Sequence, residues 1–143
     1  MTIYLLDINL LIALIDPMHV HNESAHQWFT EKGQQAWATC PITQNGFVRI
    51  ASHPNYPNRP GDVPAVLSIL SQVCEAPGHH FWKADLSILE IIEPDAIITH
   101  AQITDVYLLG IAVHHKGKLA TLDRRIPVEV IHGGRQALEL IIT

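Results

Sequence analysis

The sequence has few of the features that stabilise proteins in an oxidising compartment or in a membrane. It contains only two cysteines, Cys40 and Cys74, with no CxxC pair, which excludes a disulfide-rich fold. No apolar run approaches the ~20 residues of a membrane-spanning helix. The start of the chain lacks the basic stretch and small-residue cleavage site of a signal peptide. We therefore expect a soluble cytoplasmic protein with no membrane association and with free, buried thiols.

Basic residues are also scarce. Nine Lys and Arg residues stand against fourteen Asp and Glu residues, which gives a formal net charge of −5. This balance argues against a protein that binds nucleic acid over a broad basic surface, because neutralising phosphates requires Lys and Arg. It remains compatible with an enzyme whose acidic pocket is neutralised by a divalent metal before RNA arrives.

Length and composition predict one domain over residues 1–143. Hydrophobic residues make up 48% of the 143 positions, and a chain of this size can bury roughly two-thirds of its unfolded surface. No internal repeat or low-complexity tract is present. The proline-rich segment 53–64 reads as a loop, because it is too short to separate two independent domains.

Apolar segments typical of strands alternate with segments of helical periodicity. This alternation predicts a three-layer α/β/α sandwich with a mainly parallel central sheet. We expect a helix starting at an Asn22 cap, another starting at a Thr43 cap, and one over 86–93 capped by Asp85. We predict strands at 2–6, 36–39, 80–82, 118–122 and 128–131, and further helices at 9–15, 65–74 and 104–117.

Three acids fall where such a fold binds ligands, in the crevice beyond the carboxyl ends of the strands. Asp7 follows the first predicted strand, Asp123 follows a later one, and Asp105 lies in the first turn of the helix that begins at Thr104. Carboxylates held close together repel unless a cation compensates them. Mg²⁺ or Mn²⁺ suits such oxygen ligands, and it can activate water for attack on a phosphodiester.

Each acid also has a purely structural interpretation. Asp7 could cap the helix that begins near Asn9, and Asp105 could favour the helix macrodipole. Asp123 with Arg124 and Arg125 could form an ordinary polar turn. The pattern by itself therefore indicates an acidic crevice and leaves metal binding open.

Four segments of the chain resemble the motifs of PIN-domain proteins, in the expected order and over residues 5–123. The first has an aspartate that ends strand one, followed by a small polar residue. The four segments are LLDINLLIAL at 5–14, TQNGFVRI at 43–50, ITDVYLLGIA at 103–112 and LATLD at 119–123.

The chain looks most similar to VapC-type toxins, and this resemblance implies a function. Such proteins are Mg²⁺-dependent endoribonucleases that a cognate antitoxin silences, and a homodimer is the implied assembly. The resemblance maps an acidic quartet onto Asp7, Gln44, Asp105 and Asp123, with three aspartates as the metal ligands. Asn9 and Thr121 would be polar supports that position the carboxylates or a water.

Gln44 departs from the family pattern, because the second motif usually supplies glutamate. An amide oxygen accepts hydrogen bonds but brings no charge, so Gln44 argues against a second metal ion and against full activity. The alternative is an inactive PIN domain that binds RNA or a partner protein. A phosphate-accepting receiver domain would need a pair of acids after strand one, whereas Asp7 is followed by Ile8.

The remaining polar and aromatic candidates concern RNA and the antitoxin. Arg49, Arg124 and Arg125 are the candidates for phosphate contacts, although they could equally pair with the site carboxylates. Trp28 and Phe29 share one helix face and are expected in the core or in a groove for the partner.

The ten histidines invite a zinc hypothesis. His19, His21, His26 and Cys40 form the densest group of possible ligands. Their spacing matches no common zinc pattern, which favours surface or helix-flanking roles.

Overall fold

A computed structural model describes all 143 residues, and a five-stranded sheet crosses its centre. The strand order is β3-β2-β1-β4-β5, and every neighbouring pair is parallel. The strands are β1 (Tyr4–Leu6), β2 (Trp37–Thr39), β3 (His79–Phe81), β4 (Lys118–Thr121) and β5 (Leu138–Leu140).

Helices connect these strands. Single turns of 3₁₀ helix lie at Gly33–Gln35, His100–Gln102 and Val128–Val130. No helix has both the length and the apolar character needed to cross a lipid bilayer. The helices are α1 (Ile8–Ile15), α2 (Asn22–Glu31), α3 (Pro41–Ala51), α4 (Val63–Cys74), α5 (Ile88–Ile91) and α6 (Ile103–His114).

The sheet separates two apolar clusters, as a three-layer sandwich requires. Successive side chains of a strand point to opposite faces, so Leu5 joins one cluster and Leu6 the other. Helix α6 contributes more residues to the first cluster than any other element, whereas residues of α1, α2, α3 and α4 belong to the second. This arrangement confirms the predicted α/β/α fold with its parallel sheet.

Strands β1 and β4 are neighbours in the middle of the sheet. Leu5 pairs with Leu119 and Leu6 with Ala120, so the two strands end at the same level. Parallel strands carry their ligand crevice beyond their carboxyl ends. Residues that directly follow β1 and β4 are therefore placed together, although more than a hundred residues separate them in the sequence.

The last strand lies elsewhere than predicted. Segment 128–131 contains the 3₁₀ turn Val128–Val130, whereas β5 pairs Glu139 with Ala120 of β4. Val128 and Ile131 are both buried against the α6 cluster. Their spacing of three residues suits a helical turn, and a single turn of this kind has an apolar pattern that resembles a short strand.

Three predicted helix caps were wrong, and two of them concern α2 and α3. Asn22 is the first residue of α2, and its side-chain amide donates to the carbonyls of Ala13 (2.8 Å) and Asp16 (3.0 Å). Helix α3 begins at Pro41, and the N–H of Cys40 donates to the Thr43 hydroxyl (2.9 Å). Neither side chain therefore occupies the N-cap position. Asn22 instead contacts the end of α1, and Thr43 forms a capping box with Cys40.

The helix predicted over 86–93 is much shorter than expected. Only Ile88–Ile91 is helical, and Ser87 caps it in place of Asp85. The Ser87 hydroxyl accepts from the N–H of Leu89, and Glu90 accepts from the N–H of Ser87. This capping box fixes the beginning of the helix at Ser87, and the helix has no buried residue to extend it.

Candidate functional site

Asp7 lies at the end of β1 with only 3% of its surface exposed. One carboxylate oxygen accepts the N–H of Ile8 (2.8 Å), which makes Asp7 the N-cap of α1. The other accepts the hydroxyl of Thr121 on β4 (2.6 Å). Burial raises the pKa of Asp7, although these two hydrogen bonds oppose the rise. Asp7 is thus both a helix cap and a buried acid.

Thr121 and Asp123 continue this arrangement beyond β4. The fully buried Thr121 hydroxyl donates to Asp7 and accepts the N–H of Asp123 (3.0 Å). Asp123 in turn accepts the N–H of Arg125 (2.9 Å). One hydroxyl therefore fixes the positions of two aspartates.

Asp105 approaches these two acids from the first turn of α6. The pKa of Asp105 is raised to about 6, first by burial and then by the negative charges of Asp7 and Asp123. In its protonated form Asp105 can hydrogen-bond to Asp123, while the charge of Arg125 acts in the opposite direction. The structure therefore brings three acids from distant segments into one electrostatic group.

The chemistry of these side chains fits a hard divalent cation. Three carboxylates lie near one another, and their mutual repulsion raises the pKa of Asp105. As the side chains stand, no group of three or more His, Cys, Asp and Glu residues is arranged to hold a metal ion. The hydrogen bonds of Asp7 explain part of this, because they direct both of its oxygens to Ile8 and Thr121.

Gln44 contacts other residues. Its amide nitrogen donates to the hydroxyl of Thr39 (3.0 Å) and lies 3.9 Å from the sulfur of Cys74. The Thr39 hydroxyl also pairs with His79 (2.7 Å), so Gln44 belongs to a polar cluster that joins the end of β2 to the first residue of β3. These contacts do not support the expectation that Gln44 lies among the aspartates, which follow β1 and β4.

A glycine occupies the position of α3 that faces α1. A Cβ atom at Gly46 would lie 2.3 Å from the side chain of Ile8, the residue next to Asp7. Helix α3 therefore packs against the start of α1 through Gly46, two positions beyond Gln44. It provides no acid at that point.

The other predicted residues fall into two grooves. Asn9, Arg124 and Arg125 line a polar groove together with Asp123. Arg49 lies in a separate groove between α3 and α4, beside Gln44. Arg49 is therefore not placed with the aspartates, because none of the three lines its groove.

Two histidines that sequence reasoning left unassigned lie in the polar groove. His19 and His21 come from the loop between α1 and α2 and line it opposite Arg124 and Arg125. In the sequence, their position shortly after the end of α1 at Asp16 was the only indication that they lie near the site. The distance between that loop and the β4 loop could not be read from spacing.

A parallel sheet of this order, with acids beyond its two central strands, is the arrangement expected of a PIN-like domain. The chain is 40% identical over 131 residues to ribonuclease VapC44 of Mycobacterium tuberculosis, covering 90% of this chain and 92% of that protein. It is 38% identical over 122 residues to ribonuclease VapC39 of the same species, covering 83% and 87%. The chain belongs to the VapC ribonuclease family.

The fold is also similar to that of a solved complex, VapBC2 from Rickettsia felis bound to a DNA fragment from their promoter. The TM-score is 0.59 over 99% of this chain and 100% of that chain, at 14% sequence identity. No protein family model matches the chain. The likeness at this low identity concerns the fold alone.

Proposed function

We propose that this protein is a metal-dependent endoribonuclease and the toxin of a toxin–antitoxin pair. The observation that carries the proposal is the convergence of Asp7, Asp105 and Asp123, with the pKa of Asp105 raised to about 6. The names of the relatives, ribonucleases VapC44 and VapC39, support the same reaction.

In this proposal the three aspartates hold Mg²⁺ or Mn²⁺, which supplies a Lewis acid for phosphodiester hydrolysis. Asp7 is the fixed member, because its burial and its bond to Thr121 leave it little freedom. Asp105, which is half-buried, is the member whose charge changes most readily near neutral pH. Asn9 and Arg124 line the adjoining groove, where they would orient the RNA.

The proposed partner is a cognate antitoxin, and the structural similarity to the VapBC2 complex supports it. An apolar cavity of about 220 Å³ between α1, α2 and α4 supports a protein contact beside Phe29. Trp28 is less available, because it is buried and its indole N–H donates to Glu139 (3.0 Å). The proposal includes a homodimer and a cytoplasmic location. The free thiols of Cys40 and Cys74 are consistent with that location.

The proposal also treats residues 1–143 as one PIN-like domain. A single sheet packs against both apolar clusters, which supports one domain.

RNA cleavage by purified, antitoxin-free protein tests the mechanism. Asp→Asn at positions 7, 105 and 123 keeps side-chain shape and removes one charge each, so we expect each variant to lose most activity in limiting Mg²⁺. EDTA should abolish cleavage by the parent protein. Asp95→Asn is the matched control, because Asp95 is exposed and lies outside the acidic group. Cleavage that survives EDTA, or a site variant with parental activity, contradicts the assigned chemistry.

A binding module without nuclease activity is the second candidate. The observation that favours it is that Gln44, which replaces the expected acid, is uncharged and donates its amide to Thr39. Protein that binds RNA or the antitoxin but cleaves no RNA in Mg²⁺ or Mn²⁺ would establish this alternative.

A further inference from the structure

A polar groove of about 660 Å³ adjoins the aspartates. Its volume lies within the range of ~300–1,000 Å³ that is typical of ligand clefts. The polar side chains that line it come from α1, from the loop between α1 and α2, and from the loop after β4. They are Asn9, His19, His21, Asp123, Arg124 and Arg125.

The ring of His19 has a defined orientation and a defined proton position. The backbone N–H of His21 donates to its Nδ1 atom at 3.0 Å. Because an amide N–H can only donate, Nδ1 is the acceptor and the ring proton lies on Nε2. The Nε2–H group makes no hydrogen bond within the protein. His19 therefore presents an oriented ring N–H donor at the wall of the groove.

The other side chains of the groove also leave donors free. Arg124 is exposed and forms no ion pair, and the Arg125 side chain is 90% exposed with only a 3.5 Å contact to Asp123. The rings of His19 and His21 lie 5.7 Å apart. A local excess of N–H donors is unusual in a chain with a net charge of −5. Such a surface suits an anionic ligand rich in acceptor oxygens, such as a sugar–phosphate backbone.

We propose that this groove binds the RNA strand next to the linkage that is cut, and that His19 is a positioning residue. Its Nε2–H donates to a phosphate oxygen of the nucleotide that flanks the aspartates, while Arg124 neutralises the charge of that segment. The assignment rests on the proposed ribonuclease function for its choice of RNA. The donor geometry of His19 is independent of the chemistry at the aspartates.

Two substitutions test the roles of the two ring nitrogens of His19 separately. His19→Asn keeps an acceptor at the position of Nδ1, because an Asn side chain also accepts the N–H two residues later. It removes the donor on the far side of the ring. His19→Gln keeps an amide donor near the position of Nε2 and removes the acceptor for the turn.

His53 provides a matched control in the loop between α3 and α4. The N–H of Asn55 donates to Nδ1 of His53 at 3.0 Å, so the local turn is the same. His53 is exposed and lies outside the groove. His53→Asn therefore makes the same chemical change without changing the proposed RNA contact.

Binding of a labelled single-stranded RNA of random sequence in Mg²⁺ tests the inference. Every variant carries Asp105→Asn as well, so that the strand stays intact. We expect His19→Asn to raise Kd about tenfold, the effect of one hydrogen bond to a charged group. His19→Gln should raise Kd less, and His53→Asn should leave it unchanged.

The salt dependence distinguishes the contact of His19 from the contact of Arg124. Arg124→Gln should reduce the slope of log Kd against log salt by about 0.7, the value for one contact to a single strand. His19→Asn should leave that slope unchanged. An unchanged Kd for His19→Asn, or a Kd for His19→Gln above that of His19→Asn, overturns the assignment.

Cleavage of RNA by the parent protein is measured in a separate assay. Protein that binds RNA through His19 but cuts none would overturn the proposed function and leave this inference intact. With active protein, His19→Asn should raise KM and leave kcat near the parental value, as expected of a residue that positions the strand.

Discussion

At the scale of single residues, Thr121 connects the acids that the proposed function requires. Its hydroxyl donates to Asp7 and accepts from the backbone of Asp123, and it has no exposed surface. Groups that orient ligands in this way influence a site nearly as strongly as the ligands themselves. Thr121 is therefore a positioning residue, since it acts through the two aspartates.

Removing the Thr121 hydroxyl should affect both activity and stability. We expect Thr121→Val to lower RNA cleavage by a factor on the order of 10–100, the usual effect of losing an outer hydrogen-bond partner of a metal site. It should also lower the free energy of unfolding by about 1–3 kcal/mol, because buried polar groups lose their partner. Cleavage assays and urea denaturation measure the two effects. Thr121→Ser keeps the hydroxyl and should stay close to the parent. Parental activity in Thr121→Val would contradict the role.

The sequence was sufficient to predict the three aspartates but not the contribution of α3. Asp7, Asp105 and Asp123 lie at strand ends or in a first helical turn, and these positions follow from periodicity and topology alone. Whether Gln44 or Gly46 faces α1 depends on the rotation of α3, which the close contact between Gly46 and Ile8 determines. A rotation of this kind is a matter of packing and has no signal in one sequence.

At the scale of elements, the carboxylate of Asp16 fastens the loop after α3 to the end of α1. It accepts hydrogen bonds from the hydroxyl of Tyr56, the amide of Asn58 (2.9 Å) and the N–H of Met18 (2.9 Å). Burial raises the pKa of Asp16, but these hydrogen bonds outweigh it and hold the pKa below its usual value. The folded state therefore favours the charged form of Asp16.

The contribution of this contact should depend on pH. A carboxyl whose pKa is lowered by folding stabilises the protein above its unfolded pKa of about 4, and the effect is lost as the pH falls through the folded value. We expect Tyr56→Phe to lower the free energy of unfolding by about 1.5 kcal/mol at pH 7, and by progressively less below pH ~4.

Urea denaturation of parent and variant across this pH range measures the difference. Tyr107→Phe is the control, because the Tyr107 hydroxyl donates to the neutral carbonyl of Leu86 (2.6 Å) and its loss should not vary in the same window. A deficit for Tyr56→Phe that stays constant down to pH ~2 would contradict the role of the Asp16 charge.

Elements with strong local signals were predictable, and those defined by distant contacts were not. The strands that end at Leu6 and Thr121, and the apolar helix α6, carry their signals within a few residues. Strand β5 is different, because Leu138–Leu140 becomes a strand through pairing with β4. Its sequence, LEL, is too short to indicate a strand by alternation alone.

At the scale of the whole molecule, Glu139 joins the last strand to the second helix. Its carboxylate accepts from the indole N–H of Trp28 and from the ammonium group of Lys32, both at 3.0 Å. Burial raises the pKa of Glu139, but these hydrogen bonds outweigh it, so that its pKa lies below the usual value. The contact thus links the edge strand β5 to α2.

Breaking this contact should destabilise the protein as a whole. We expect Glu139→Ala to lower the free energy of unfolding by about 1–2 kcal/mol, because the buried Trp28 N–H loses its acceptor. Denaturation in urea measures the loss. Glu129→Ala removes an exposed ion pair with Arg135 and should stay near the parent. Equal stability of the two variants would show that the contact to Trp28 contributes nothing.

The hydrogen bond between Thr121 and Asp7 spans 114 positions of the chain. Contacts between residues so far apart form late in folding, because a long loop must close before they are gained. During synthesis, a chain that has not yet released β4 from the ribosome carries Asp7 without Thr121, Asp105 and Asp123 in place. The acidic group is therefore assembled only when β4 joins the sheet beside β1.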